Sequence, residues 1–201
     1  MRDGLPRRQH SCRHNLWLSR AMSQFLFHGV AAALLLATPW RTAAAESAAS
    51  PEYQVKAVFL SKFGSFVTWP ESVFSDAKAP IVIGILGSDP FGPLLEEAIR
   101  GVEIKGRPLT IRKIERVEEA AVCQILYIRE QERERLSQIL AALKNRPVLT
   151  VGETEQFTRR GGILNFTLVE GRVRIEINPE EAHRAGLKID SKLLSVATVV
   201  K

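Results

Sequence analysis

Two short apolar runs constrain this chain more than any other feature: residues 81–86 (IVIGIL) and residues 122–128 (VCQILYI). Neither alternates polar with apolar residues. A strand with one wet face alternates, so an unbroken β-branched run predicts a strand covered on both sides, as in the parallel part of an α/β sheet. Each run leads into a segment of helical period. Beyond residue 86 stands Gly87-Ser88-Asp89-Pro90, which places Asp89 to cap a helix over about 90–100 with Pro90 at its first position. Leu94, Leu95, Ala98 and Ile99 share one side of that helix. Beyond residue 128, Leu136, Ile139, Leu140 and Leu143 form one stripe of a helix over 130–144. The mixed charges of 129–135 at its front read as a solvated face with pairs three or four apart.

The rest of the pattern extends this frame. A helix is predicted over 52–67, where Val55, Phe59, Phe63 and Phe66 recur at spacings of three and four. Trp69-Pro70 stops it, because a residue before proline is driven out of the helical region. Strands near 102–104 and 109–114 flank the turn residues Lys105-Gly106-Arg107-Pro108. A short strand at 147–151 and a short helix at 153–159 lead to Gly161-Gly162. Residues 163–168 and 172–177 then bracket Val169-Glu170-Gly171 as a β-hairpin. Val173, Ile175 and Ile177 share one face of its second arm, opposite Arg172, Arg174 and Glu176. Helical segments follow at 179–184 and about 191–199. The predicted fold class is α/β: a mixed β-sheet with helices on both faces, a C-terminal antiparallel hairpin and terminal helices.

The N-terminus is of another kind. Arg2, Arg7, Arg8, Arg13 and Arg20 precede an uncharged stretch from Phe25 to Thr38, and Ala43-Ala44-Ala45 follows. Basic, apolar and small-residue parts in that order predict a cleavable secretory signal over 1–45. The apolar stretch falls short of the roughly 20 residues a membrane span needs, so the product is expected to be periplasmic and not membrane-embedded. Met22 is an alternative start that yields the same product. Residues 46–51 read as a disordered leader, and 52–201 as one domain. The chain has 28 basic and 22 acidic residues; six arginines and Asp3 fall in 1–45, so 46–201 keeps 22 and 21. A net charge near +1 lacks the basic footprint of a nucleic-acid binder.

The residues that carry chemistry are few. Cys12 leaves with the signal, so Cys123 stands alone in an apolar strand. It reads as a buried filler, with an intermolecular disulfide as the alternative. His183 is the one histidine of 46–201, without a second His or Cys at metal-ligand spacing, and neither a metal nor a cofactor is predicted. There is no G-x-S-x-G elbow, and Ser191-Lys192 are adjacent rather than spaced as a catalytic Ser-x-x-Lys. Gly84-x-x-Gly87-Ser88-Asp89 lacks the Walker lysine and the dinucleotide spacing, and Asp89 would repel an anion there. No enzyme activity is predicted.

Several local patterns in order resemble the YfiR family of periplasmic proteins. They are the first helix ending in Phe66-Val67 and Trp69-Pro70, then Ile85-Leu86-Gly87 with Asp89-Pro90-Phe91-Gly92. Next come Gly106-Arg107-Pro108, Cys123-x-Ile-Leu-Tyr-Ile128 and Pro147-Val148-Leu149-Thr150-Val151. Phe157, Gly161-Gly162-Ile163, Phe166, Ile175-Glu176-Ile177-Asn178, Ala185-Gly186-Leu187-Lys188-Ile189 and Ser191-Lys192-Leu193-Leu194 complete the set. The resemblance implies a regulatory binding protein rather than an enzyme. Its implied partner is the periplasmic domain of a membrane diguanylate cyclase, which it would repress, lowering cyclic-di-GMP and biofilm formation. The best-studied type has further cysteines that form disulfides, whereas 46–201 holds Cys123 alone, so internal redox control is not expected. Binding residues favour loops and edge hairpins, which makes Phe166, Arg174, Glu176 and Asn178 of the 161–178 hairpin the candidate partner contacts. Phe166 also suits the core, and Asn178 suits the cap of the helix that Pro179 begins. A homodimer is left open. The alternative function is a periplasmic sensor of a small ligand, with Trp69, Phe91 and Tyr127 lining a pocket.

Overall fold

The computed structural model describes residues 50–200. The expected signal peptide, 1–45, and residues 46–49 of the expected leader lie outside the described residues. The chain opens with α1 (Pro51–Phe63), β1 (Val67–Thr68), β2 (Ile81–Leu86) and α2 (Pro93–Ile99). β3 (Glu103–Ile104), β4 (Arg107–Ile114), β5 (Ile125–Ile128), α3 (Leu136–Ala142) and β6 (Leu149–Gly152) follow. The last part holds β7 (Leu164–Val169), β8 (Arg172–Ile177), α4 (Pro179–Arg184), β9 (Lys188–Ile189), α5 (Ser191–Val196) and β10 (Thr198–Val199).

Eight strands form one mixed sheet in the order β10-β8-β7-β6-β5-β2-β4-β3, and β1 pairs with β9 in a second, antiparallel one. β2, β4, β5, β6 and β7 run parallel, while β8 returns antiparallel beside β7. The two unbroken apolar runs therefore sit at the centre, as adjacent strands. On one face Ile83, Ile85, Ile125, Tyr127, Leu149, Val151, Leu164 and Phe166 pack with α1 through Ala57, Leu60 and Phe63 and with α2 through Leu95. On the other, Leu86, Ile114, Leu126 and Ile128 pack with α3 through Leu136, Ile139 and Leu140. Helices on both faces are what continuous apolar strands require. The hairpin closes through Glu170 and Gly171, both at positive φ, as a two-residue turn matched to strand twist requires.

Several boundaries depart from expectation for local physical reasons. α1 ends at Phe63, because Phe66 gives its C=O to Asp190 N–H and Val67 pairs with Ile189. Asp89 does not cap α2. Its Oδ1 accepts from Phe91 N–H at 2.7 Å, a tight turn that drops Phe91 into the core between Tyr53 and Tyr127. The helix starts later, with Gly92 as its cap and Pro93 at its first position. The charged front of the third predicted helix forms only a 3-10 turn, Glu130–Glu132, since it has no apolar side chain to bury. Residues 153–159 form no α-helix; a 3-10 turn at Thr158–Arg160 stands there, and Phe157 is buried against Gly152 and Gly162. The last predicted helix stops at Val196, where β10 joins the sheet edge and Val200 N–H reaches Ile177 C=O. Ser50 and Pro51, placed in the leader by sequence, are the cap and first residue of α1.

Candidate functional site

The hairpin distributes the four candidate contacts over two faces. Phe166 is 2% exposed and packs between the rings of Phe63 and Phe59, with centroids 5.8 and 6.1 Å away. Asn178 is buried as the cap of α4: its Oδ1 accepts from Glu181 N–H and its Nδ2 donates to Thr158 C=O. Arg174 is exposed opposite Thr167, and half-buried Glu176 lies opposite Asn165 on the same face, 3.4 Å from Thr158 Oγ1. Arg174 and Glu176 are thus neighbours on the surface, while Phe166 and Asn178 are enclosed. At the hairpin tip Leu168 and Val169 are about half exposed, an apolar patch that the pattern of alternation alone did not single out. Of the three aromatics of the alternative reading, Trp69 donates Nε1–H to Gln124 C=O, while Phe91 and Tyr127 face each other in the core.

A second constellation, which the sequence reading missed, forms where the C-terminal ends of β5 and β6 meet the start of α1. In α1, Glu52, Tyr53 and Lys56 fall at helical spacing on one side. Glu153 follows the last residue of β6, and Arg129 follows β5. Glu153 Oε2 accepts from Lys56 Nζ at 2.7 Å, Tyr127 Oη at 2.5 Å and Tyr53 Oη at 3.4 Å. Its Oε1 accepts from Glu130 N–H at 3.3 Å and lies 3.8 Å from Arg129 Nε. Lys56 also pairs with Glu52 and sits over the Tyr53 ring, 4.8 Å from its centroid. The side chains of Lys56 and Glu153 are only 3% and 8% exposed. Arg129 turns its Nη1 to Ser88 Oγ at 2.7 Å, tying the end of β5 to the end of β2.

The electrostatics follow from this packing. Burial pushes the Glu153 carboxyl up, but Lys56 and Tyr127 outweigh it and hold it below the usual carboxylate range. Burial likewise pulls the Lys56 ammonium down, and Glu153 and Glu52 more than restore it, leaving it raised. Tyr127 is held neutral, first by burial and then by the Glu153 charge beside it. A general acid or base works best with a pKa near the working pH. Glu153 is held ionised and accepts from Lys56, Tyr127, Tyr53 and Glu130 N–H, so it anchors α1 to the ends of β5 and β6.

Beside this cluster a pocket of about 460 Å³ is walled by Glu52, Tyr53, Lys56, Arg129, Glu153 and Asn165 among others. Among the described residues no group of three or more His, Cys, Asp or Glu could hold a metal ion, and no helix is long and apolar enough to cross a membrane.

No match is found among curated proteins. Among the solved structures that match at low identity are the following two. A conserved domain protein from Vibrio cholerae O1 biovar El Tor is 15% identical, with a TM-score of 0.47 over 75% of this chain and 60% of that one. The ABC domain in complex with L-Trp from Streptococcus pneumonia is 13% identical, with a TM-score of 0.48 over 74% and 60%. The chain thus spans 60% of the length of each. A family model described as YfiR/HmsC-like matches residues 53–198, from the third residue of α1 to the first residue of β10. The chain belongs to the YfiR/HmsC-like family.

Proposed function

We propose that residues 1–45 direct export and are removed after Ala45, and that 46–201 acts in the periplasm as a regulatory binding protein. Its partner in this reading is the periplasmic sensor region of a membrane diguanylate cyclase, which it represses. The observation that carries the proposal is the family match over 53–198, the whole of the folded part but its ends. The hairpin supplies a surface of suitable make-up. Arg174 and Glu176 stand on one face of β8, and exposed Leu168 and Val169 stand at the tip. An apolar centre with polar surroundings is the usual anatomy of a protein interface.

The test is deletion of the gene in a strain that expresses the cyclase, together with binding of the purified protein to the cyclase's periplasmic segment. Cyclic-di-GMP rises on deletion. Arg174→Glu and Glu176→Lys each weaken binding by more than about 1 kcal/mol without lowering the melting temperature, since neither touches Val173, Ile175 or Ile177. Unchanged cyclic-di-GMP refutes the repressor reading; unchanged binding by both variants refutes the choice of surface alone.

A further inference from the structure

The pocket beside Glu153 borders the hairpin through Phe166, Thr167 and Leu168 of β7, and it opens at the carboxyl ends of the parallel strands. In an open α/β sheet, ligands bind outside the carboxyl ends of the strands, near the point where strand order reverses. Here that reversal falls between β2 and β5, whose ends Arg129 bridges through Ser88, and the pocket opens at the ends of β5 and β6. Its volume, about 460 Å³, lies in the range of small-molecule sites. Burying the Lys56–Glu153 pair at its floor is no gain for stability alone, because an apolar pair of similar size commonly serves as well. Two of the three buried polar atoms without a partner among the described residues, Arg129 Nε and Asn165 Oδ1, belong to its wall.

The charge of the lining selects the occupant. The lining holds Glu52, Glu130, Glu153 and Glu155 against Lys56 and Arg129, a surplus of two negative charges that falls to one when Arg133, 4.0 Å from Glu130 and outside the lining, is counted. Lys56 is already spent on Glu52 and Glu153, and Arg129 is held at Ser88 and beside Glu153. Glu155, on the open rim, makes no ion pair among the described residues. Tyr53, Phe166 and Leu168 add an apolar side to the same pocket. We propose that this pocket binds a small organic amine in its cationic form. The ammonium meets the Glu155 and Glu130 carboxylates, and the hydrocarbon part lies against Leu168 and Tyr53. The inference does not rest on the cyclase reading: Leu168 is common to both surfaces, but Glu130 and Glu155 belong to the pocket and Arg174 and Glu176 to the hairpin face.

Three four-carbon probes that differ only in their ends test it: 1,4-diaminobutane, 1,4-butanediol and succinate, each titrated into the purified protein at pH 7. The diamine is expected to bind with a dissociation constant of about 1 mM or tighter, to weaken as salt is added, and to shift the backbone amide resonances of Glu155, Thr167 and Leu168. The diol and succinate are expected to do none of this. Glu155→Gln combined with Glu130→Gln, both on the surface and outside the core, weakens diamine binding about tenfold or more. Absence of diamine binding overturns the proposal. So does equal binding of succinate, a set of shifted amides away from the pocket, or undiminished binding by the double variant. None of these results bears on cyclic-di-GMP in the deletion strain, so the two readings fail separately.

Discussion

Cys123 shows how far a single residue's surroundings can be inferred. Its place in an apolar run with no sulfur partner predicted burial, and the structure has it 2% exposed and unpaired. Burial pushes its thiol up to about 11, with Arg112 offsetting only part of this. At neutral pH it is therefore a thiol, and the thiolate is the reactive form. Native protein should label slowly with a thiol reagent and denatured protein quickly. Cys123→Ala should cost about 1–2 kcal/mol in urea denaturation, from the cavity it leaves. Fast native labelling would contradict the packing, in which the Sγ lies against Gly84. Asn178 was equally legible, because a cap and the Pro179 after it are two adjacent residues with a local rule. Glu153 was not. A glutamate one residue past a strand looks like any other, and its meaning comes from side chains far away in sequence.

Elements were read well where periodicity and burial agree, and poorly where a tertiary demand intervenes. β2 and α4 lie where the pattern placed them and the hairpin within one residue, Val169 joining β7 and leaving Glu170-Gly171 as the turn, since apolar runs and turn chemistry act over a few residues. α2 starts late because Phe91 is drawn into the core, and the segment 153–159 is not a helix because Phe157 is. That ring occupies the space above two glycines: a Cβ at Gly152 would lie 2.3 Å from it, and one at Gly162 only 2.0 Å. Phe157 is fully buried and has no room to swing aside. Gly162→Ala should therefore destabilise the fold by about 1–3 kcal/mol, the usual cost of overpacking a core. Gly162→Ala with Phe157→Leu should recover part of it. A Gly162→Ala variant as stable as the parent in urea would mean that this ring is not the plug between β6 and β7.

At the scale of the whole molecule the Glu153 cluster joins α1, β5 and β6, and global stability should report its ionisation. The folded Glu153 pKa lies below its ordinary 4.5. Its contribution is therefore fully present above about 4.5 and is lost as pH falls through the lower folded value. The folded Lys56 pKa lies above its ordinary 10.5, so that contribution is complete below about 10.5 and fades as pH rises through the higher folded value. The unfolding free energy should thus form a plateau between these limits and fall at both ends. Glu153→Gln should lower the plateau and flatten the acid limb. An acid limb unchanged by Glu153→Gln would show that other carboxylates govern it.

The covered central strands, the antiparallel hairpin, the capped α4, the buried cysteine and the family pattern are legible in the chain before it folds, because each is written in neighbouring residues or in their order. Which of the many carboxylates is buried, and what surrounds it, emerges with the packing of the layers. Lys56 and Glu153 are 97 positions apart, Tyr53 and Glu153 are 100, and Tyr127 and Glu153 are 26. Strand order sets these meetings: β6 lies beside β5, and α1 crosses the same sheet face. Hydrophobic periodicity specifies which side of an element is buried, but not which polar residues the packed layers bring together at its ends.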